Sequence, residues 1–168
     1  MNINKRVSEY PRASKLFAVC ALIASMTSNA KMTIVTLSQL VMKSDVIVLG
    51  HFGPPAGGSS TQSSAFVPLQ VASILKGGTM VARGMLELCN LRENSESPDL
   101  SRLTGSFVIF ASKKSTCFEL SHGDRSIVPT ANGRANTVAI EDEPDDQPLK
   151  HFLKTVRSLV AKQSSASP

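Results

Sequence analysis

Aromatic side chains are scarce in this chain of 168 residues, which contains no Trp, one Tyr and seven Phe. Proteins that bind single-stranded nucleic acid stack successive bases on aromatic side chains, so the chain has little material for such a platform. Lys113, Lys114 and a basic C-terminal segment are the main concentrations of positive charge after residue 30. Because binding through many phosphate contacts needs a clustered basic face, the sequence disfavours a nucleic-acid-binding protein.

A long apolar run is also lacking. The apolar segment Leu16–Met26 is shorter than the roughly 20 residues that a membrane-spanning helix needs. Basic residues precede this segment and Ser28-Asn29-Ala30 follows it, which is the pattern of a secretory signal peptide, because signal peptidase accepts only small side chains next to the cut. We predict a signal peptide at residues 1–30, no transmembrane span after its removal, and a periplasmic or secreted protein.

The excess of basic residues lies mostly in this N-terminal segment. The whole chain has 18 Lys+Arg and 13 Asp+Glu, a net charge of +5. Residues 1–30 hold four of the bases and one of the acids, which leaves 14 bases and 12 acids, or +2, in residues 31–168. The high pI of the whole chain therefore reflects the targeting segment.

Cysteines are few. Cys20 belongs to the predicted signal peptide, so Cys89 and Cys117 remain in the exported chain. Two cysteines in an oxidising compartment most simply form one disulfide. The alternative, a nucleophilic thiol, would require an unpaired sulfur and a neighbouring group that activates it.

Residues 31–160 show the pattern of a single, mainly β domain with flanking helices. Leu37, Leu40 and Val41 have helical spacing, and Thr36 before them is a suitable N-cap. The stretch Asp45–Phe52 follows, with an apolar core of Val-Ile-Val-Leu that is typical of a strand covered on both faces. Further strands are predicted, from alternation and apolar runs, at residues 66–75, 85–91, 105–111, 117–120, 126–129 and 136–140.

The connections between these strands are polar. Asn132-Gly133 predicts a two-residue hairpin turn, because both residue types tolerate a positive φ. The acidic run at residues 141–146 lacks the central Gly and final Glu of a calcium-binding EF-hand loop, which favours a solvated linker. An amphipathic helix is predicted at residues 147–160, followed by a disordered tail at 161–168. The apolar stripe of this helix consists of Leu149, Phe152, Leu153, Val156, Leu159 and Val160.

Three segments together resemble a recurrent bacterial exported module that is similar to the OB-fold barrel of netrin and the tissue inhibitors of metalloproteinases. They are Ser-Asp-Val-Ile-Val-Leu-Gly at 44–50, Val-Ala-Ser-Ile-Leu-Lys-Gly at 71–77 and Gly-Ser-Phe-Val-Ile-Phe-Ala at 105–111. The resemblance implies a small OB-like barrel of five to seven strands. Inhibition through an N-terminal cysteine is not implied, because the predicted first residue is Lys31.

The resemblance also yields a test of topology. In an OB barrel the third strand lies beside the fifth, which would allow the Cα atoms of Cys89 and Cys117 to approach within the roughly 7 Å limit for a disulfide. In a simple meander the fourth strand would lie between them and hold them about 9–10 Å apart.

Recognisable catalytic and metal-binding motifs are absent from the sequence. His51, His122 and His151 have no i, i+4 pairing and the cysteines form no C-x-x-C pattern, so we expect no metal and no cofactor. The best polar constellation is His122-Gly-Asp124, which would need Ser121 or Ser126 as a nucleophile and an oxyanion site. Short turns of this composition usually face solvent.

Two functional hypotheses follow. The first is an exported, non-catalytic module that binds a protein, a peptide or an envelope component through the loops at residues 53–65 and 92–104, which we expect at the rim of the barrel. The second is a small secreted hydrolase-like enzyme centred on His122, Asp124 and a nearby serine. The lack of a catalytic motif favours the binding module.

Overall fold

A computed structural model describes residues 34–53, 65–90 and 98–166 of the chain. Residues Ile34–Pro168 form one compact unit, which contains all the helices, strands and buried clusters given below. The predicted signal peptide, residues 54–64 of the first predicted rim loop and residues 92–97 of the second lie outside the described residues. No helix in the described part of the chain has the length and apolarity that crossing a membrane requires.

The first helix of the described residues, α1 (Leu37–Lys43), begins where the sequence predicts it. Thr36 caps it, since its hydroxyl accepts a hydrogen bond from the Gln39 backbone N–H and the Gln39 side chain accepts one from the Thr36 N–H. The buried side chains are Leu37, Leu40 and Val41, as the spacing predicts. The helix therefore packs one face inward and leads directly into the first strand.

Eight strands form one sheet in the described residues. Five of them follow the order β1-β2-β3-β5-β4, and pairing of β1 with β4 closes these five into a barrel. The parallel pairing of β3 with β5, at Leu88 and Phe118, confirms the predicted neighbourhood of the third and fifth strands. The structure is thus a small OB-like barrel with flanking helices. The strands are β1 (Val46–Phe52), β2 (Phe66–Lys76), β3 (Met85–Cys89), β4 (Gly105–Lys113), β5 (Phe118–Leu120), β6 (Ile127–Ala131), β7 (Arg134–Asn136) and β8 (Asp146–Pro148).

Both faces of β1 are covered, as its unbroken apolar run predicts. Val46 and Val48 point into the barrel, while Ile47 belongs to a second buried cluster beneath the helices. Gly50 allows β2 to pass close by, because a Cβ at this position would lie 2.7 Å from the Leu69 side chain. This strand therefore joins the two halves of the hydrophobic core.

The second cluster lies between the outside of the barrel and the helices. The C-terminal helix, α2 (Leu149–Ser165), contributes the buried Phe152 and Val156, and the rest of its predicted apolar stripe packs against the same cluster. Its predicted end at Val160 is wrong, since residues 161–165 are helical and not a disordered tail. The Lys76 ammonium holds this end by donating to the Gln163 side chain (2.8 Å) as well as to the Val41 carbonyl (2.9 Å).

The predicted strand at residues 136–140 is also wrong. Asn132 and Gly133 do form the predicted turn, with φ values of 51° and 72°. The strand that follows this turn, β7, begins at Arg134 and ends at Asn136, where the predicted strand would begin. Thr137 then bonds to the Asp145 backbone and turns the chain. Residues 137–140 therefore form a hydrogen-bonded turn and do not extend the strand.

The acidic run at residues 141–146 is largely exposed to solvent, as its composition predicts, and it also makes specific contacts. The Asp142 carboxylate accepts a hydrogen bond from the Leu37 N–H (2.7 Å) at the start of α1. Asp146 begins β8 and forms an ion pair with Arg134. The run therefore connects two elements by specific contacts, and α2 starts at Leu149, two residues after the predicted start.

Candidate functional site

The predicted catalytic constellation lies just after β5. His122 precedes a short 3₁₀ turn, Gly123–Ser126. The Ser126 hydroxyl is fully buried and accepts a hydrogen bond from the His122 backbone N–H (2.6 Å). Asp124 is exposed, and no hydrogen bond joins its carboxylate to any described residue. Ser126 therefore serves the backbone of the turn, and the imidazole and carboxylate are not paired.

The other candidate nucleophile, Ser121, belongs to a group of three hydroxyls that we call the serine cluster: Ser44, Ser112 and Ser121. The Ser121 hydroxyl lies 2.8 Å from that of Ser44 and 3.0 Å from that of Ser112. Ser44 also donates to the Leu40 carbonyl (2.6 Å), and Ser112 donates to the Lys43 carbonyl (2.7 Å). The Leu40 carbonyl also accepts from the Ser44 backbone N–H (3.2 Å). The Lys43 carbonyl lies in the last turn, where the helix itself provides no donor, so Ser112 supplies one and ties α1 to β4.

The electrostatic environment of His122 opposes a positive charge on its ring. Burial lowers the pKa of the imidazole, and the nearby charges of Lys43 and Arg125 lower this pKa further. Its Nε2 atom is buried without a hydrogen-bond partner among the described residues. The ring is therefore neutral near pH 7, and the described contacts do not connect it to a serine hydroxyl.

A second polar region lies at the end of β3. The Asn90 N–H donates to the Ala65 carbonyl (2.9 Å), and the Asn90 side-chain oxygen accepts from the Leu100 N–H (3.3 Å). Cys89 lies at disulfide distance from Cys117, with 5.4 Å between their Cα atoms. We call the residues Ala65, Cys89, Asn90, Leu100 and Cys117 the loop junction, because the connections β1–β2, β3–β4 and β4–β5 all meet there.

The surroundings of the loop junction are partly rigid and partly exposed. Leu100 is buried inside the barrel and anchors a 3₁₀ turn that Asp99 caps through its bond to the Ser101 N–H. Phe66 pairs with Cys89 across β2 and β3, and 43% of its side chain remains exposed. An exposed aromatic side chain thus stands beside the point from which both predicted rim loops leave.

Sequence reasoning did not identify Asn90. Its only signal is its position, directly after a predicted strand and before a polar stretch, where Asn often bonds to nearby backbone. Three further exposed apolar side chains were also missed: Ile74 on β2, Met80 in the β2–β3 connection and Met85 on β3. They lie on the outward face of this hairpin.

The three histidines do not come together as a site. His51 lies exposed on β1 and His151 lies exposed on α2, while His122 lies near the serine cluster. Within the described ranges, no group of three or more His, Cys, Asp or Glu side chains is placed to hold a metal ion. No protein-family model matches this chain, and no curated protein matches it.

Proposed function

We propose that this chain is an exported, non-catalytic binding module that holds a protein or peptide of the envelope at the loop junction. The observation that carries the proposal is a pair of hydrogen bonds in which Asn90 donates to Ala65 and accepts from Leu100, since they bring the ends of both predicted rim loops together. The barrel and the cysteine pair beneath supply a rigid base. Binding residues are commonly found on loops that a rigid scaffold positions in this way.

The exposed Phe66 supports a protein or peptide partner. Aromatic side chains contribute strongly to binding where they enter a pocket of the partner, and Phe66 stands beside the loop junction. The loop sequence at 53–65 is rich in Gly and Ser, and that at 92–104 is rich in charged and polar residues. Together they would surround this anchor with a polar rim.

Export is part of the proposal. The N-terminal signal pattern supports it, and a cysteine pair at bonding distance is compatible with an oxidising compartment. Intact-mass measurement of the protein recovered from the periplasm or medium should give a chain that starts at Lys31. Recovery of the uncleaved chain from the cytoplasm alone would contradict export.

Site-specific photo-crosslinking tests the binding site. A photoreactive residue placed at Ala65 or at Arg102, whose side chain is 83% exposed, should form a covalent adduct with one partner in envelope preparations. The same residue at Arg83 or Val138, which are exposed elsewhere, should give none. The captured partner should then bind the purified protein, and Phe66→Ser should weaken that binding about ten-fold or more.

The hydrolase hypothesis predicts a different outcome. If the protein hydrolyses model esters and Ser121→Ala abolishes that activity while the fold persists, the hydrolase hypothesis is supported and the proposed binding function is contradicted. Equal adducts from all four crosslinker positions would likewise contradict a partner site at the loop junction.

A further inference from the structure

The solvent-facing side of α2 carries only positive charge. This helix of 17 residues has no Asp or Glu. Its basic residues are all exposed: Lys150, His151, Lys154, Arg157 and Lys162. Lys150, Lys154 and Arg157 are spaced by four and three residues, so they form one stripe along the helix. The buried Phe152 and Val156 face the barrel on the opposite side.

These cations are not neutralised by the rest of the described chain. None of the four Lys and Arg side chains of α2 forms an ion pair or hydrogen bond with a described residue. Three of the five acids at residues 141–146 have other partners: Asp142 bonds to the Leu37 N–H, Glu143 to the Gln147 side chain and Asp146 to Arg134. The positive stripe is therefore available to an external anion.

We propose that α2 docks this protein on the surface of an anionic phospholipid bilayer. Lys150 to Arg157 span about 10 Å of a straight helix at 1.5 Å per residue, and a planar array of headgroups can contact these three cations at once. Juxtaposition with anionic lipid is favourable for each Lys or Arg near the surface. This inference concerns a different surface from the loop junction and does not rest on the proposed function.

The composition of the stripe specifies how α2 would bind. Interfacial helices normally insert an apolar face into the bilayer, but the apolar face of α2 is occupied by the barrel. Binding through α2 is therefore electrostatic and peripheral. The exposed face also lacks aromatic side chains, which single-stranded nucleic acid would use for base stacking. A lipid surface fits these features better than a nucleic acid does.

Vesicle co-sedimentation tests the proposal. The chain from Lys31, which includes the complete compact unit, should bind vesicles of phosphatidylglycerol mixed with phosphatidylcholine and should not bind phosphatidylcholine alone. Each cation contributes about five-fold to such partitioning. The variant K150Q/K154Q/R157Q should therefore bind on the order of 100-fold more weakly. Raising the ionic strength to about 1 M, where the Debye length is about 3 Å, should release the parent protein.

A matched variant separates the stripe from net charge. K43Q/R83Q/K113Q removes three exposed bases located elsewhere and should change vesicle binding by less than about five-fold. Circular dichroism and thermal unfolding should show that both variants keep the fold, because all six side chains are exposed.

Several outcomes would overturn the proposal. Equal loss of vesicle binding in both variants would show a response to net charge alone. Equal binding to neutral and anionic vesicles would remove the electrostatic basis. Tighter binding to a single-stranded oligonucleotide than to anionic vesicles, lost in the α2 variant, would assign the stripe to nucleic acid. Salt-dependent self-association lost in the same variant would assign it to a second copy.

Discussion

The loop junction and the serine cluster both fasten chain connections to the barrel, but they use different groups. In the serine cluster, Ser44 and Ser112 bond to carbonyls at the end of α1, and Ser121 lies between them. In the loop junction, the backbone N–H and the side chain of Asn90, together with one cysteine pair, hold three connections. The hydroxyls are therefore used in internal hydrogen bonds, whereas the connections that meet at the loop junction continue into polar sequence.

This difference shows why residue type alone misleads about function. Histidine, aspartate and serine close together in the sequence indicate catalysis, yet Ser126 and Ser121 both serve structural hydrogen bonds. A cysteine and an asparagine after a strand indicate little, yet Cys89 and Asn90 organise the region to which we assign binding. The contacts of each polar group decide between these roles.

Substitution inside the barrel should have the largest effect, because both regions depend on it. Val48 has no exposed surface, so Val48→Asp would bury a carboxylate without a partner, at a cost of about 3–5 kcal/mol. That cost is comparable with the whole stability of many domains. We expect little soluble, folded protein, measured by yield and by thermal unfolding.

Val138→Asp is the control for this substitution. Val138 is 67% exposed, so a carboxylate there stays hydrated and should leave the yield and the melting temperature nearly unchanged. A Val48→Asp variant with normal thermal stability would contradict the placement of Val48 in the barrel interior.

Reduction of the cysteine pair should have the next largest effect on stability. It acts on the loop junction and leaves the hydrogen bonds of the serine cluster in place. The cysteines are separated by 28 residues, and closing a loop of this length stabilises a protein by about 3–4 kcal/mol in the chain-entropy description. Urea unfolding of the chain from Lys31 should show this loss in free energy on adding reductant. The variant C89A/C117A should be insensitive to reductant, and an equal response in both proteins would exclude the bridge.

The sequence predicted the barrel well because its strands carry strong periodic signals. The apolar run of β1 and the alternation at Leu86 and Leu88 both report burial, and burial is what closes the barrel. The short strands β7 and β8 were missed because their only buried residues are Ala135 and Gln147, which give no apolar alternation, whereas the equally short β5 carries Phe118 and Leu120. The positions of β7 and β8 depend on specific contacts, such as the Arg134–Asp146 ion pair, which no local pattern encodes.

The candidate site was less predictable. The pairing of Cys89 with Cys117 followed from compartment and topology, and the 5.4 Å Cα separation is consistent with it. The role of Asn90 depends on two partners that are 25 and 10 residues away in the chain, so local sequence could not reveal it. Likewise, Ser121 meets Ser44 only because α1 and β5 pack on the same strand, β4.

Removing one hydroxyl of the serine cluster should have a smaller effect. Ser44 and Ser112 give their protons to backbone carbonyls, so the single Ser121 proton must serve both neighbours and is worth about one hydrogen bond. Ser121→Ala should therefore lower the free energy of unfolding by about 1 kcal/mol. Ser115→Ala, at an exposed position, should change it by less than about 0.5 kcal/mol. If Ser121→Ala lowered the free energy of unfolding as much as reduction of the cysteine pair does, the serine cluster would contribute as much to stability as the loop junction.

Titration of His122, which lies near the serine cluster, should have the smallest effect on the free energy of unfolding. The folded state lowers the pKa of His122 from its ordinary 6.5, through burial and the charges of Lys43 and Arg125. Well above pH 6.5 the imidazole is neutral in both states and contributes no pH dependence. As the pH falls below 6.5, the unfolded chain binds this proton first, so stability falls until the folded-state pKa is reached. Urea unfolding at pH 7.5 and pH 5.5 should show less acid sensitivity in His122→Gln than in the parent protein, whereas His151→Gln, at an exposed position on α2, should match the parent. Identical acid sensitivity in all three proteins would mean that burial and the charges of Lys43 and Arg125 do not lower the His122 pKa.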